Sequence, residues 1–242
     1  MEGVQFDTFD FALIPTAEIV YIKDSPIRKL DFPGVVANLG ALQLDNVKAQ
    51  GGISGANFSS LYEIIVTRSP DFDGFNNNNF TKLQELVFDG TSIQLTDLLD
   101  NDMPTLERLT LSNSANAAGI PDVSNIKGIL KYYKLESIKL ASFGNGCDLT
   151  ALEELYILGN NQLATLSLPA SIATLKTLVI ENSALATFTG YTYPALTSLS
   201  IHDTGVLETF TTNTFSALKD LTLSGLVKTT ELSNTVNLPA LQ

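Results

Sequence analysis

The chain predicts a solenoid: a parallel β-sheet with one strand per turn, about ten turns of roughly 22 residues, and a mostly irregular or short 3-10 convex side. Two observations predict it. The first is a phrase that returns ten times, a leucine, two residues, a leucine, one residue and a leucine. The second is an apolar residue three places before each leading leucine. A chain that repeats itself at this period buries one strand per coil against its neighbours, because no single copy can bury its own apolar side chains.

The strong copies are Leu61-x-x-Ile64-x-Val66, Leu83-x-x-Leu86-x-Phe88, Leu106-x-x-Leu109-x-Leu111, Leu152-x-x-Leu155-x-Ile157, Leu175-x-x-Leu178-x-Ile180, Leu196-x-x-Leu199-x-Ile201 and Leu218-x-x-Leu221-x-Leu223. Weaker ones begin at Ala17, Leu39 and Leu135. With a partial copy at Leu241, the leading residues are 22, 22, 22, 23, 29, 17, 23, 21, 22 and 23 residues apart. Around the fourth and sixth positions apolar residues alternate with polar or mixed ones, the period of a strand buried on one face. The second mark runs Ile14, Val36, Phe58, Phe80, Met103, Tyr132, Leu149, Ile172, Tyr193, Phe215 and Leu238, and is expected to fill the core from the returning side.

These residues, Phe215-x-x-Leu218-x-x-Leu221-x-Leu223 above all, resemble the leucine-rich repeat family over residues 14–242, in the form used by extracellular recognition proteins and bacterial surface proteins. The resemblance implies a strand-lined concave face that binds a partner. One departure stands out. The family places Asn at the ninth position, where its amide bonds neighbouring backbone. Here that position holds Ser25, Val47, Ser69, Thr91, Ser114, Phe143, Asn160, Ser183, Thr204 and Leu226. Hydroxyls satisfy buried backbone groups less completely than an amide does.

Residues 1–16 are aromatic-rich and precede the regular copies at 17–242. They are expected to pair as an extra strand and cap the core. The chain stops inside a repeat, at Leu241-Gln242, which predicts a truncated piece or an end covered by another chain. The 29-residue step holds Ser124 as an N-cap and Ile126, Ile129, Leu130 and Tyr133 on one helical face, so a short convex helix is expected there, with a wound loop as the alternative.

Composition narrows the function. Fourteen basic against 26 acidic residues give a net charge of −12, which disfavours nucleic acid, since phosphate binding needs clustered Lys and Arg. No apolar run of about 18 residues predicts a spanning helix, and the first residues lack the basic start and apolar stretch of a signal peptide. A single cysteine, Cys147, excludes an internal disulfide and reads as a small residue at a tight turn or as a reactive thiol. No catalytic constellation, phosphate loop or cofactor motif emerges, so an enzyme is not expected. Asp71-Phe-Asp73 faintly resembles a calcium loop but lacks its closing Glu. Asn57-Phe-Ser59 and Asn79-Phe-Thr81 are glycosylation sequons one repeat apart.

The surface to read is the outward row of the strands. At the fifth position Ile65, Val87, Tyr156 and Val179 point away from the core among Tyr21, Gln43, Thr110, Lys139, Ser200 and Thr222. Glu63, Glu85 and Glu154 at the third position, with Asp89 and Glu181 at the seventh, rim them. Such an apolar line edged by carboxylates fits a protein partner with a basic rim. The alternative is that β-branched and aromatic residues are simply good strand formers. Glu181 and His202, on adjacent strands, form a metal pair, a pH-sensitive pair or an ordinary exposed contact. The expected function is a non-enzymatic recognition or adhesion module on an extracellular, microbial or viral surface, or in the cytoplasm. The competing expectation is a structural subunit whose C-terminal solenoid end packs on a neighbour.

Overall fold

The protein's structure, a computed structural model, describes residues 7–114, 129–144, 148–205 and 207–225. The chain divides into two compact units, Met1–Ala117 with Asp122–Lys127, and Ala118–Pro121 with Gly128–Gln242. Each is a parallel β-solenoid. Among the described residues the helical segments are two 3-10 turns, Phe11–Leu13 and Leu95–Asp100.

In the first unit the strands Ile19–Ser25, Ala41–Val47, Glu63–Thr67, Glu85–Asp89 and Arg108–Ser112 lie side by side in chain order. Register puts like on like: Leu42 beside Ile64, Ile64 beside Leu86, Leu86 beside Leu109. All four are fully buried, and each such side chain contributes about 1.5–3 kcal/mol relative to exposure. The second unit repeats the plan with Tyr132–Glu136, Glu154–Leu158, Thr177–Glu181, Ser198–His202 and Asp220–Ser224. Tyr133, Leu155, Leu178 and Leu199 form its inner row. The predicted alternation of inward and outward residues is borne out in both units.

The weak copy at Leu135 is read five residues too late. Tyr133 lies beside Leu155 and Leu135 beside Ile157, so the copy leads with Leu130. The uneven steps of 29 and 17 then become 24 (Leu106 to Leu130) and 22 (Leu130 to Leu152). Tyr132 belongs to the outward row, not the returning side. Ser137, Lys139 and Ala141 follow the strand instead of lining its face, and the ninth position is Ile138, not Phe143. The confusion has a physical source. Leu135, Ile138 and Leu140 are all fully buried, but as a strand residue followed by turn residues. The expected helix does not reach Tyr133, which is in the strand; 115–128 lie outside the described residues.

Every turn leaves its strand in the same way. The eighth residue adopts a left-handed conformation in all ten copies: Asp24, Asn46, Arg68, Gly90, Asn113, Ser137, Gly159, Asn182, Asp203 and Gly225, with φ between 48° and 64°. Gly, Asn and Asp tolerate this region best, and they fill eight of the ten places. The N–H of the eighth residue donates to the seventh-position carbonyl of the next turn, as in Arg68 to Asp89, Gly90 to Ser112, Gly159 to Glu181, Asn182 to His202 and Asp203 to Ser224. In these turns the ladder is thus carried one residue past the strand.

The returning side is fastened by short parallel pairs, such as Val35–Val36 with Asn57–Phe58 and Asn57–Phe58 with Asn79–Phe80. Its apolar marks Phe58, Phe80, Met103, Leu149, Ile172, Tyr193 and Phe215 are buried as expected. Phe11 stacks on Phe32 at 4.2 Å and Phe58 on Phe80 at 5.0 Å. Thr8–Asp10 pairs in parallel with Lys29–Asp31. Where Gly52 meets Gly74 one turn on, a Cβ on Gly52 would fall 1.8 Å from the Gly74 carbonyl oxygen, so no other residue fits. Asparagine ladders exist here as well. Asn78 Oδ1 accepts from Ala56 N–H and its Nδ2 donates to Ile53 O, while Asn101 Oδ1 accepts from Asn78 N–H. Asn213 joins Tyr191 N–H to Phe188 O.

Candidate functional site

Strand pleat decides which side chains face out, and cross-strand register decides which of them meet. Val87 stands directly beside Ile65 in the first unit, flanked by Gln43 and Thr110. Tyr156 stands beside Val179 in the second unit. All four are half-buried against their outward neighbours. The corrected register adds Tyr132, Lys134 and Glu136 to the second unit's face. Tyr132 packs its ring 5.5 Å from that of Tyr156, and Lys134 lies beside Tyr156. An even repeat spacing was the signal that would have found them.

The expected carboxylate rim is internally engaged. Glu63 accepts from Gln43 Nε2 at 2.7 Å, Glu85 lies 3.6 Å from Arg108 and Glu154 accepts from the Tyr156 hydroxyl at 2.9 Å. Asp89 accepts from Ser112 Oγ and Asn113 Nδ2, both at 2.7 Å, and Glu181 accepts from Asn182 Nδ2 at 3.1 Å. Asp45, outside the expected set, is the most tightly held. Arg68 grips both its oxygens at 2.7 and 2.6 Å, and Thr67 and Lys23 add to it. The Arg68 hydrogen bonds hold its carboxyl down at about 2, against the opposing effect of desolvation.

Glu181, His202 and Asp203 form a compact group. Among the described residues they are the one set whose ligand-type atoms all lie within 4.8 Å of one another. His202 Nε2 is 3.6 Å from Glu181 Oε2, and His202 Nδ1 is 3.3 Å from Asp203 Oδ2. The calcium-like loop does something else, since Asp73 Oδ1 accepts from Gly51 N–H at 2.7 Å. Asn57 and Asn79 of the sequons are paired across their short strands and half-buried. Cys147 and residues 226–242, with Leu238 and Leu241, lie outside the described residues.

No family model matches the chain, and no curated protein or solved structure matches it either. The functional reading therefore rests on its own residues. No helix of the described residues is long and apolar enough to cross a membrane.

One feature of the first unit was missed in the sequence. A cleft of about 430 Å³ opens between Thr8–Ile14 and Ser25–Ile27, lined mainly by Phe9, Leu13, Ile14, Pro26 and Ile27. Leu13 is 79 % exposed, and on the neighbouring end strand Ile19 and Tyr21 are 66 % and 56 % exposed. The outward placement of Ile19, at the third position of its copy, was legible from the repeat.

Proposed function

We propose that the chain is a non-enzymatic recognition module of the leucine-rich repeat type, binding a protein partner through the outward face of its strands. The observation that carries this reading is the pair of apolar contacts Ile65–Val87 and Tyr156–Val179, held half-buried on faces edged by Glu63, Glu85, Glu154, Asp89 and Glu181. Apolar groups at the centre of such a face give affinity when water is excluded, and the surrounding charge steers encounter. A partner with Lys or Arg at its rim suits a chain of net charge −12. The acidity and the plentiful Thr, Ser and Asn suit a surface-exposed or secreted protein.

A second reading is a structural subunit joined through a solenoid end; the expected C-terminal end lies outside the described residues, and the exposed Leu13, Ile19 and Tyr21 favour the N-terminal end instead. One assay separates the two. Ile65→Lys, Val87→Lys, Tyr156→Lys and Val179→Lys are expected to abolish capture of the partner while shifting the unfolding midpoint little. Glu63→Lys, Glu85→Lys and Glu154→Lys slow association and reduce its salt dependence. If assembly survives these changes and is lost with Leu13→Asp and Ile19→Asp, the end-packing reading replaces recognition.

A further inference from the structure

Glu181 closes the strand Thr177–Glu181 and His202 closes Ser198–His202. Register sets the two side by side. The next residue in each turn is left-handed, and this bends its side chain back over the strand end. Asp203 thereby lies against His202 Nδ1 at 3.3 Å, and Asn182 donates to Glu181 Oε1 at 3.1 Å. Gly225, one turn further, leaves the room this needs. A Cβ there would fall 2.6 Å from Asp203 Oδ1.

The arrangement sets His202 Nε2 and Glu181 Oε2 facing each other. In the tautomer whose Nδ1–H donates to Asp203, the imidazole turns its Nε2 lone pair toward the Glu181 carboxylate. The gap is 3.6 Å, beyond the range of a hydrogen bond. Two ligands held about 2.0–2.1 Å from a tetrahedral zinc ion sit roughly 3.4 Å apart, so the observed 3.6 Å is close to the spacing a chelating pair needs. Some carboxylates elsewhere have basic partners, as Asp45 has Arg68 and Lys23, Glu85 has Arg108, Glu136 has Lys134 and Glu153 has Lys176, whereas Glu63, Glu154 and Asp89 accept from neutral side chains. Among the described residues Glu181 and Asp203 pair with no Lys or Arg.

We infer that Glu181 Oε2 and His202 Nε2 bind a divalent transition metal of the zinc class. Imidazole with carboxylate suits such borderline ions, whereas calcium prefers an all-oxygen shell. Asp203 and Asn182 are positioning residues, fixing the imidazole tautomer and the carboxylate orientation as second partners of metal ligands do. The His202 and Glu181 side chains are 26 % and 35 % exposed, so water or a side chain of another molecule completes the coordination. This inference does not depend on the recognition reading.

His202 is the chain's one histidine, so its imidazole proton signals report on the site without ambiguity. The full chain, stripped with a chelator, is titrated with Zn²⁺ alone at neutral pH and followed by calorimetry and by those signals. One ion per chain is expected, with the imidazole signals moving in step with saturation and unmoved by Ca²⁺. His202→Gln abolishes binding, Glu181→Gln weakens it at least tenfold, and Asp203→Asn weakens it about tenfold. Glu153→Gln, as a control, leaves it unchanged. The half-exposed positions allow each variant to keep its unfolding midpoint, which is measured alongside. Imidazole signals that respond to pH but not to Zn²⁺ overturn the inference, as does a Glu181→Gln chain that binds like the parent.

Discussion

Asn160 and Thr204 occupy the same place in two turns of the second unit, and both are fully buried. Asn160 makes three hydrogen bonds there. Its Oδ1 accepts from Ile138 N–H, and its Nδ2 donates to the Leu135 and Leu158 carbonyls, each at 3.0 Å. The Thr204 hydroxyl has no hydrogen-bond partner among the described residues, and neither has that of Thr91 in the first unit. Between these extremes, Ser69 Oγ accepts from Val47 N–H and donates to Thr67 O. Yet the strands on either side keep the same register and the same left-handed exit. The ninth-position amide is therefore not what shapes the turn. The exit residue at the eighth position, with its N–H bonded to the next turn, and the apolar rows on both sides do that.

If so, the largest losses come from the apolar rows. Leu155→Ala and Leu178→Ala each empty a fully buried rung and are expected to cost about 2–5 kcal/mol. Val179→Ala, half-buried on the opposite face of the same strand as Leu178, is expected to cost below about 1 kcal/mol. Denaturant unfolding measures both. Equal losses would mean that the outward row is part of the core and that the comparison of faces fails.

Asn160→Ala comes next. It strands the Ile138 N–H and removes donors from two carbonyls, and buried groups left unpaired cost about 1–3 kcal/mol. A loss near the top of that range is expected, with the effect confined to one turn. A loss as small as that of Val179→Ala would mean that water replaces the amide.

How much of this was legible differs from residue to residue. The leucine rows, the buried Phe and Tyr of the returning side and the outward pairs Ile65–Val87 and Tyr156–Val179 follow from a period of 22 and an alternation of two. The sixth copy does not, because Tyr133 replaces its inner leucine and Leu135, Ile138 and Leu140 imitate the phrase five residues on. The eighth-position turn was readable, since Asp24, Asn46, Gly90, Asn113, Gly159, Asn182, Asp203 and Gly225 recur in step with the leucines. Attention to the ninth position hid it. The Glu181–His202 pair was visible from strand adjacency. Asp203 was not, because its approach depends on a left-handed backbone and on the space above Gly225.

A different fastening holds the turn at Arg68, one of two left-handed exits not filled by Gly, Asn or Asp. Arg68 is clasped to Asp45, whose folded pKa of about 2 lies below the ordinary carboxylate value near 3.9. A depressed pKa contributes stability that is present above the unfolded value and lost as pH falls through the folded one. The parent is therefore expected to lose a small increment of stability between about pH 4 and pH 2 that Asp45→Asn lacks. Solvent and salt screen the exposed guanidinium and keep this effect small. Melting curves of both chains across that range, at low and high salt, measure it. Parallel acid limbs would show that the turn stands without the clasp.

The smallest effect expected is at Thr204 itself. A buried hydroxyl without a partner carries a desolvation cost that an apolar isostere does not. Thr204→Val removes the oxygen, keeps the β-branched shape and breaks no hydrogen bond of that side chain. Its unfolding free energy is expected to match the parent or exceed it by up to about 1 kcal/mol, and Thr91→Val should behave alike in the first unit. Thr204→Asn probes the other half of the argument, since it offers the turn the amide that Asn160 supplies two turns earlier. Stabilisation by Asn with loss by Val would show that this hydroxyl is bonded in solution, and that the polar ladder runs through every turn after all. Stabilisation by Val alone leaves the exit residue and the apolar rows as what holds the turn.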